Sequence, residues 1–303
     1  MVIDYGRVVV GVDGSPQSLG ALRWAADEAV RNTRQLHVVH ACRGGNTHQN
    51  VAVDAAAEAW RWRPGVEAVA STAAGEPAAV LRRYSAHAHL VVVASTGTGT
   101  GTDGQTPLGS VGDALGRQAG CPVLVVHDAL RWVAPDAVLP RDGPIVVGFD
   151  GTEPAHRALR LAFQEASSRD VRLVTIQAWQ HPDLWHGGDQ HCADLTDDVN
   201  NVHERLRRAA EPWQRRFPHI EVELRAQSGD PAEVLVAASQ WALMLVLGVH
   251  GSVQDTSAPA SPVAWRAVRS AACPVLLAHK PAPSRPFSPH PIPSNGRAAR
   301  SFR

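Results

Sequence analysis

Lysine is almost missing from this chain: Lys280 is the single one among 303 residues, and every other basic side chain is arginine. With it goes the lysine a P-loop needs to reach a terminal phosphate. Net charge is missing as well, because 29 basic side chains balance 29 acidic ones. No overall field is left to recruit nucleic acid or an anionic membrane. The arginines are scattered among acids along helix-like stretches, which is how a solvated face reads. Cysteine is scarce, and Cys42, Cys121, Cys192 and Cys273 show no CxxC spacing. Small buried hydrophobes in a reducing compartment are expected of them, not a disulfide frame or a zinc site. No apolar stretch approaches the ~18 residues that cross a bilayer. The start, Met1-Val2-Ile3-Asp4-Tyr5, lacks a signal-peptide layout, so a cytoplasmic protein is expected. The histidines, including His87, His89, His181, His186 and His191, never combine i, i+4 spacing with an acid partner. Paired carboxylates in a cleft context and a nucleophile elbow are also absent. No catalytic residue and no metal ligand are nominated, and a catalyst in the usual sense is not expected.

What the chain does have is repetition. Arg7-Val8-Val9-Val10-Gly11-Val12-Asp13-Gly14-Ser15 returns as Pro144-Ile145-Val146-Val147-Gly148-Phe149-Asp150-Gly151-Thr152. Cys121-Pro122-Val123-Leu124-Val125-Val126-His127 returns as Cys273-Pro274-Val275-Leu276-Leu277-Ala278-His279. Two domains of one kind are implied, 1–128 and 143–280, each long enough to bury its own core. Residues 129–142 join them, and 281–303, rich in Pro, Ser and Arg without apolar period, read as a disordered tail.

Within each half, short β-branched runs alternate with helical patterns. Val8–Val12, Leu36–Ala41, Val66–Ser71, Leu90–Ala94 and Val123–His127 read as strands; so do Ile145–Phe149, Arg172–Ala178, Ile220–Ala226, Leu243–Gly248 and Val275–His279. Several are continuous apolar runs, as strands covered on both faces require. Leu19, Leu22, Ala26, Ala29 and Val30 mark a helix face, matched by Ala155, Ala158, Leu159, Ala162 and Ala166. Glu76-Pro77 and Asp230-Pro231 signpost helix starts. The expected fold class is α/β: two tandem doubly wound five-stranded parallel sheets flanked by helices. In such sheets ligands sit beyond the carboxyl ends of the strands, where the order reverses. The landmark offsets are 137 for Asp13 to Asp150, 154 for Pro77 to Pro231 and 152 for Cys121 to Cys273. The second half therefore gains 17 residues between strands two and three, and loses two after strand four. The gain is expected in a helix over 195–217 and the loop 181–194 ahead of it, whereas the counterpart over 43–63 is shorter and looser.

After strand four the first half reads Ala94-Ser95-Thr96-Gly97-Thr98-Gly99-Thr100-Gly101, then Leu108-Gly109-Ser110-Val111 opening a helix. Small residues let such a loop fold tightly and turn its amides towards an anion, and the helix dipole adds favourable potential. Asp13 and Asp150, after the first strand of each half, read either as ligand contacts or as turn residues bonding their own loop.

This arrangement resembles the universal stress protein family in its tandem form, on the repeated Val-Gly-x-Asp-Gly, Gly-Asp/Glu-Pro and Cys-Pro-Val landmarks. The family's nucleotide motif is Gly-x-x-Gly, nine residues, then Gly-Ser/Thr. The resemblance implies the adenine nucleotide α-hydrolase-like fold, ATP binding in each domain with Mg²⁺ as counter-ion, and a role in survival under stress such as hypoxia or dormancy. It makes Asp13 and Asp150 adenosine contacts beside Gly11 and Gly148, and puts the backbone of Ala41 and Ala178 against the adenine edge. The phosphate end falls to Ala94, Gly97, Thr98, Gly99, Gly109, Ser110 and Val111 in one half. In the other it falls to Gly248, Gly251, Ser252, Ser261 and Val263. It further implies that the closing strands, Val123–His127 and Val275–Leu277, take part in homodimer or pseudo-symmetric pairing.

Neither half keeps the whole motif. Ala94 replaces the leading glycine, and eleven residues separate Gly97 from Gly109-Ser110, the nine-residue spacing returning only from Gly99. The second half keeps Gly248-Val249-His250-Gly251 and nine residues, but ends in Ser261-Pro262. A serine cap followed by proline starts a helix well. Proline also deletes one of the N–H groups a phosphate would use, so weaker phosphate binding is expected there. The alternative reading is an interaction scaffold that has lost its nucleotide.

Overall fold

The computed structural model describes residues 6–42, 50–95, 110–127, 142–179, 191–249, 262–280 and 301–302. The two repeats fold as two compact units. The first unit runs β1 (Arg7–Val12), α1 (Pro16–Arg31), β2 (Leu36–Cys42), α2 (Val51–Trp62), β3 (Ala68–Ala74), α3 (Pro77–Ser85), β4 (Ala88–Ala94), α4 (Ser110–Gln118) and β5 (Val123–Val126). The second repeats it as β6 (Ile145–Gly148), α5 (Glu153–Arg169), β7 (Leu173–Trp179), α6 (His191–Arg216), β8 (Val222–Ser228), α7 (Pro231–Ser239), β9 (Met244–Gly248), α8 (Pro262–Ser270) and β10 (Val275–Ala278).

Each unit is a five-stranded parallel sheet. The strand order is β3-β2-β1-β4-β5 in the first and β8-β7-β6-β9-β10 in the second, so the expected doubly wound architecture is what forms. The continuous apolar runs lie where two-sided burial demands them. Val8 and Val10 of β1 are fully buried, as are Ile145, Val146 and Val147 of β6. The order reverses beside β1 and beside β6, and there the carboxyl ends of neighbouring strands open a crevice.

Local chemistry explains the helix starts. Pro16, Pro77 and Pro231 occupy first-turn positions whose N–H would have no partner anyway. Asp230 caps α7 by accepting from the Ala232 and Glu233 amides, both at 3.1 Å. Its counterpart Glu76 makes no such side-chain cap bond to α3. Pro262 opens α8, as the Ser261-Pro262 pair predicts.

Three expectations differ from what forms. Both third strands start later than their apolar onset suggests, at Ala68 and Val222 instead of Val66 and Ile220. Those two side chains are buried, but their amides close turns onto Arg63 and Phe217, so they plug the helix–strand corner and not the sheet. The inserted helix α6 begins at His191, taking in the last four residues of the predicted loop. Trp24 sits in the core at 2% exposure, whereas Trp60 is 45% exposed. The tail predicted to be disordered lies outside the described residues except Ser301–Phe302 (β11), which pairs antiparallel with Val69 and Ala68.

Candidate functional site

The crevice of each unit begins with one turn, built twice. Asp13 Oδ1 accepts from the Ser15 amide at 2.9 Å and the Ser15 hydroxyl at 2.5 Å. Asp150 Oδ1 accepts from the Thr152 amide and hydroxyl at the same 2.9 and 2.5 Å. The hydroxyl that donates to the carboxylate then accepts from the first turn of the following helix, from Ser18 N at 3.2 Å or Ala155 N at 3.4 Å. Carboxylate, hydroxyl and helix amide thus form a relay that sets where α1 and α5 start. Between them Gly14 and Gly151 stand at φ +83° and +82°, a backbone that a side chain would strain. Of the two readings open for these aspartates, the turn role is the one their hydrogen bonds display. It leaves Asp150 exposed at the rim of the crevice.

A cavity of about 150 Å³ opens beyond the carboxyl ends of β6, β7 and β9. Five of the predicted residues meet on its wall: Gly148, Asp150, Ala178, Gly248 and Val263. Sequence reasoning missed the apolar wall, chiefly Phe149, Ile176, Leu235 and Leu247. Their signal was indistinguishable from that of core residues, since a crevice and a core are lined alike. Gly148 and Gly11 also have a packing reason. A Cβ on Gly11 would meet Leu81 Cδ1 at 2.6 Å, and one on Gly148 would meet Leu235 Cδ1 at 3.0 Å. Those glycines let α3 and α7 lie close on the sheet.

In the first unit Gly11, Asp13, Ala41 and Ala94 fall at the corresponding strand ends. Val111 lies in the first turn of α4, and Ser110 begins that helix. Gly97, Thr98, Gly99, Gly109, Gly251, Ser252 and Ser261 lie outside the described residues.

The remaining reactive side chains have settled environments. Cys121 and Cys273 are buried, and burial pushes both thiols up to about 12. A thiol that stays protonated at neutral pH is a poor nucleophile. With the chain folded at pH 8, iodoacetamide is expected to spare both cysteines and to label them only after denaturation; peptide mass mapping before and after urea checks this. His37 Nε2 lies 2.8 Å from Ser71 Oγ, with the Tyr84 ring edge-on at 5.0 Å. Burial, helped by nearby Arg7, lowers this histidine to about 4. It is neutral at pH 7 and a poor general base, so the pair resembles a catalytic dyad only in distance. Among the described residues no three His, Cys, Asp or Glu side chains are placed to hold a metal ion, and no helix is long and apolar enough to cross a membrane.

The sequence profile of the Universal stress protein family matches residues 4–60 and 143–279. Universal stress protein Rv2005c of Mycobacterium tuberculosis is 32% identical over 300 residues, covering 90% of this chain and 97% of its own length. Rv2623 of the same organism, also a universal stress protein, is 30% identical over 268 residues, covering 80% and 86%. The crystal structure of a universal stress protein from Archaeoglobus fulgidus matches with TM-score 0.60 at 17% identity, over 91% of this chain and 99% of that one. That last likeness is one of fold.

Proposed function

The chain belongs to the universal stress protein family, and on that premise we propose that it is a stress-response regulator that binds an adenine nucleotide and acts by association, not by turnover. The observation that supports this most is the cavity beyond β6 and β9, where Asp150, Ala178 and Gly248 come together from three different strand ends. Its apolar wall suits a flat base, and the rim aspartate suits a ribose hydroxyl. ATP with Mg²⁺ is the ligand proposed for the first unit, whose α4 opens without a proline. Cytoplasmic location and pairing of halves or chains through β5 and β10 belong to the same reading. The scaffold alternative draws on Ala94 and Ser261-Pro262, the two places where the family's phosphate motif is broken.

Purified protein decides between them. Adenine nucleotide is expected in a heat extract, and saturable binding by calorimetry. Asp13→Asn and Asp150→Asn keep an oxygen for the turn but remove the charge. Each should weaken adenosine binding in its own unit about tenfold, a loss on the scale of one charge-assisted hydrogen bond. A silent calorimeter and an empty extract would leave the scaffold.

A further inference from the structure

We infer that the cleft of the second unit is a nucleoside and nucleoside-monophosphate site that discriminates against triphosphates. This rests on the reading above, that the cleft takes an adenine ring.

Space comes first. About 150 Å³ is room for one ring system, well short of the roughly 300–1,000 Å³ of a site that encloses a whole drug-sized ligand. A bound base would fill it, and any phosphate would lie outside, at the rim. There each of the helix N-termini that would normally meet an anion has lost amides to proline or to its own cap. α7 begins with Pro231, which has no N–H, and its next two amides donate to Asp230. The following one, of Val234, donates to the Asp230 carbonyl. α8 begins with Pro262, again without an N–H. At α5 the Thr152 amide serves Asp150, Ala155 serves the Thr152 hydroxyl, and Pro154 has none to give. Three helices point at one crevice, and all three carry a proline in the first turn.

Charge at the rim acts the same way. Arg266, one turn into α8, donates to Asp230 Oδ1 at 3.0 Å and lies 3.6 Å from Glu233. Arg157 of α5 pairs with Glu153 and donates to the Val249 carbonyl, so among the described residues Asp150, Glu153, Asp230 and Glu233 set four carboxylates against two guanidinium groups that are already engaged. A single phosphate reaching past this rim meets modest repulsion; a chain of three meets it at every oxygen. The first unit also starts α1 and α3 on proline and differs at the third of these helices: α4 starts on Ser110, and Ala114 stands where α8 has Arg266.

The test is hydrogen–deuterium exchange on the full chain, with Mg²⁺ present, titrating adenosine, AMP and ATP separately. Protection of peptides spanning 231–236 and 262–266 reports this cleft alone. Adenosine and AMP should protect them at concentrations at least tenfold below ATP. In Pro262→Ala, which restores an amide at the start of α8, the ATP midpoint should fall about tenfold or more while that of adenosine stays put. ATP protecting the wild-type peptides at or below the adenosine midpoint overturns the inference and leaves the adenine reading intact. No protection by any of the three overturns both.

Discussion

Gly248→Ala will destabilise the second unit by about 1–3 kcal/mol, the usual cost of forcing a methyl into a filled space, and Gly248→Val by more. The reason is backbone, which cannot rotate away. A Cβ at Gly248 would stand 2.4 Å from both the carbonyl carbon and oxygen of Pro154, and 2.7 Å from Ala155 N. The first turn of α5 rests directly on the end of β9, so it must lift. Lifting it disturbs the Thr152 cap and the Asp150 turn, and ligand binding at this cleft should fall with stability. The first unit supplies the control, because Ala94 occupies the equivalent place and α1 starts where that methyl allows. Ala94→Gly should cost only about 0.5–1 kcal/mol, the ordinary entropic price of a strand glycine. Urea denaturation of the three variants measures the contrast; equal small effects at positions 94 and 248 would mean the close approach is not real.

That contrast shows what could be read from the chain and what could not. The repeat was legible because its signals are local: an apolar run, then Asp-Gly-Ser/Thr, then a helical face. Each has a physical cause within a few residues, namely the buried strand, the left-handed turn and the cap. Asp230-Pro231 and Ser261-Pro262 predicted helix starts for the same reason, since capping and a missing N–H are properties of neighbours in sequence. The third strands were misplaced because Val66 and Ile220 are apolar for a corner, and periodicity does not distinguish a corner plug from a ladder residue. The start of α6 was not legible because His191-Cys192-Ala193-Asp194 carries neither a proline nor an apolar period to mark a helix start.

At the site, the legible part was polar and conformational. Asp150 was singled out by its position after a strand, Ala178 and Gly248 by the family resemblance, and the three meet on one wall. Phe149, Ile176 and Leu235 were not singled out, because nothing local separates a residue facing a crevice from one facing the core. The turn role of Asp13 and Asp150 is local too. An aspartate two residues before a hydroxyl, with glycine between, has its own amide and hydroxyl to bind, whatever ligand arrives later. The second unit keeps the glycine at its strand four and lets a helix sit on it, and it closes its helix starts with proline. The first has Ala94 in place of that glycine, and its α1 and α3 also start on proline but its α4 does not. One fold has thus been tuned into two crevices with different floors and different rims.

The largest expected loss of stability is at Phe163. Its ring is fully buried, lies stacked on Phe217 at 6.0 Å and 22°, and is tilted against Trp213 at 6.4 Å. These three rings tie α5 to the end of α6, the helix that absorbs the second half's insertion. Their counterparts in the first unit, through the repeat offsets, are Ala26, Arg63 and Ala59. Ala26 and Ala59 are themselves fully buried, so α1 and α2 are packed through small side chains where α5 and α6 are held by aromatic ones. Phe163→Ala therefore does not convert one arrangement into the other; it leaves a void, because Trp213 and Phe217 keep the helices at the spacing the ring set. The cost should be about 3–5 kcal/mol, lowering the melting temperature of the second unit by roughly 10 °C or more. Ala26→Phe should destabilise the first unit by overpacking, about 1–3 kcal/mol. Because α5 also begins at the Asp150 turn, its loosening should reach the crevice. Adenosine binding in the Phe163→Ala chain should weaken as the temperature nears the lowered transition, and recover on cooling. A melting temperature unchanged within 2 °C would mean the three rings are not the packing centre of this helix pair.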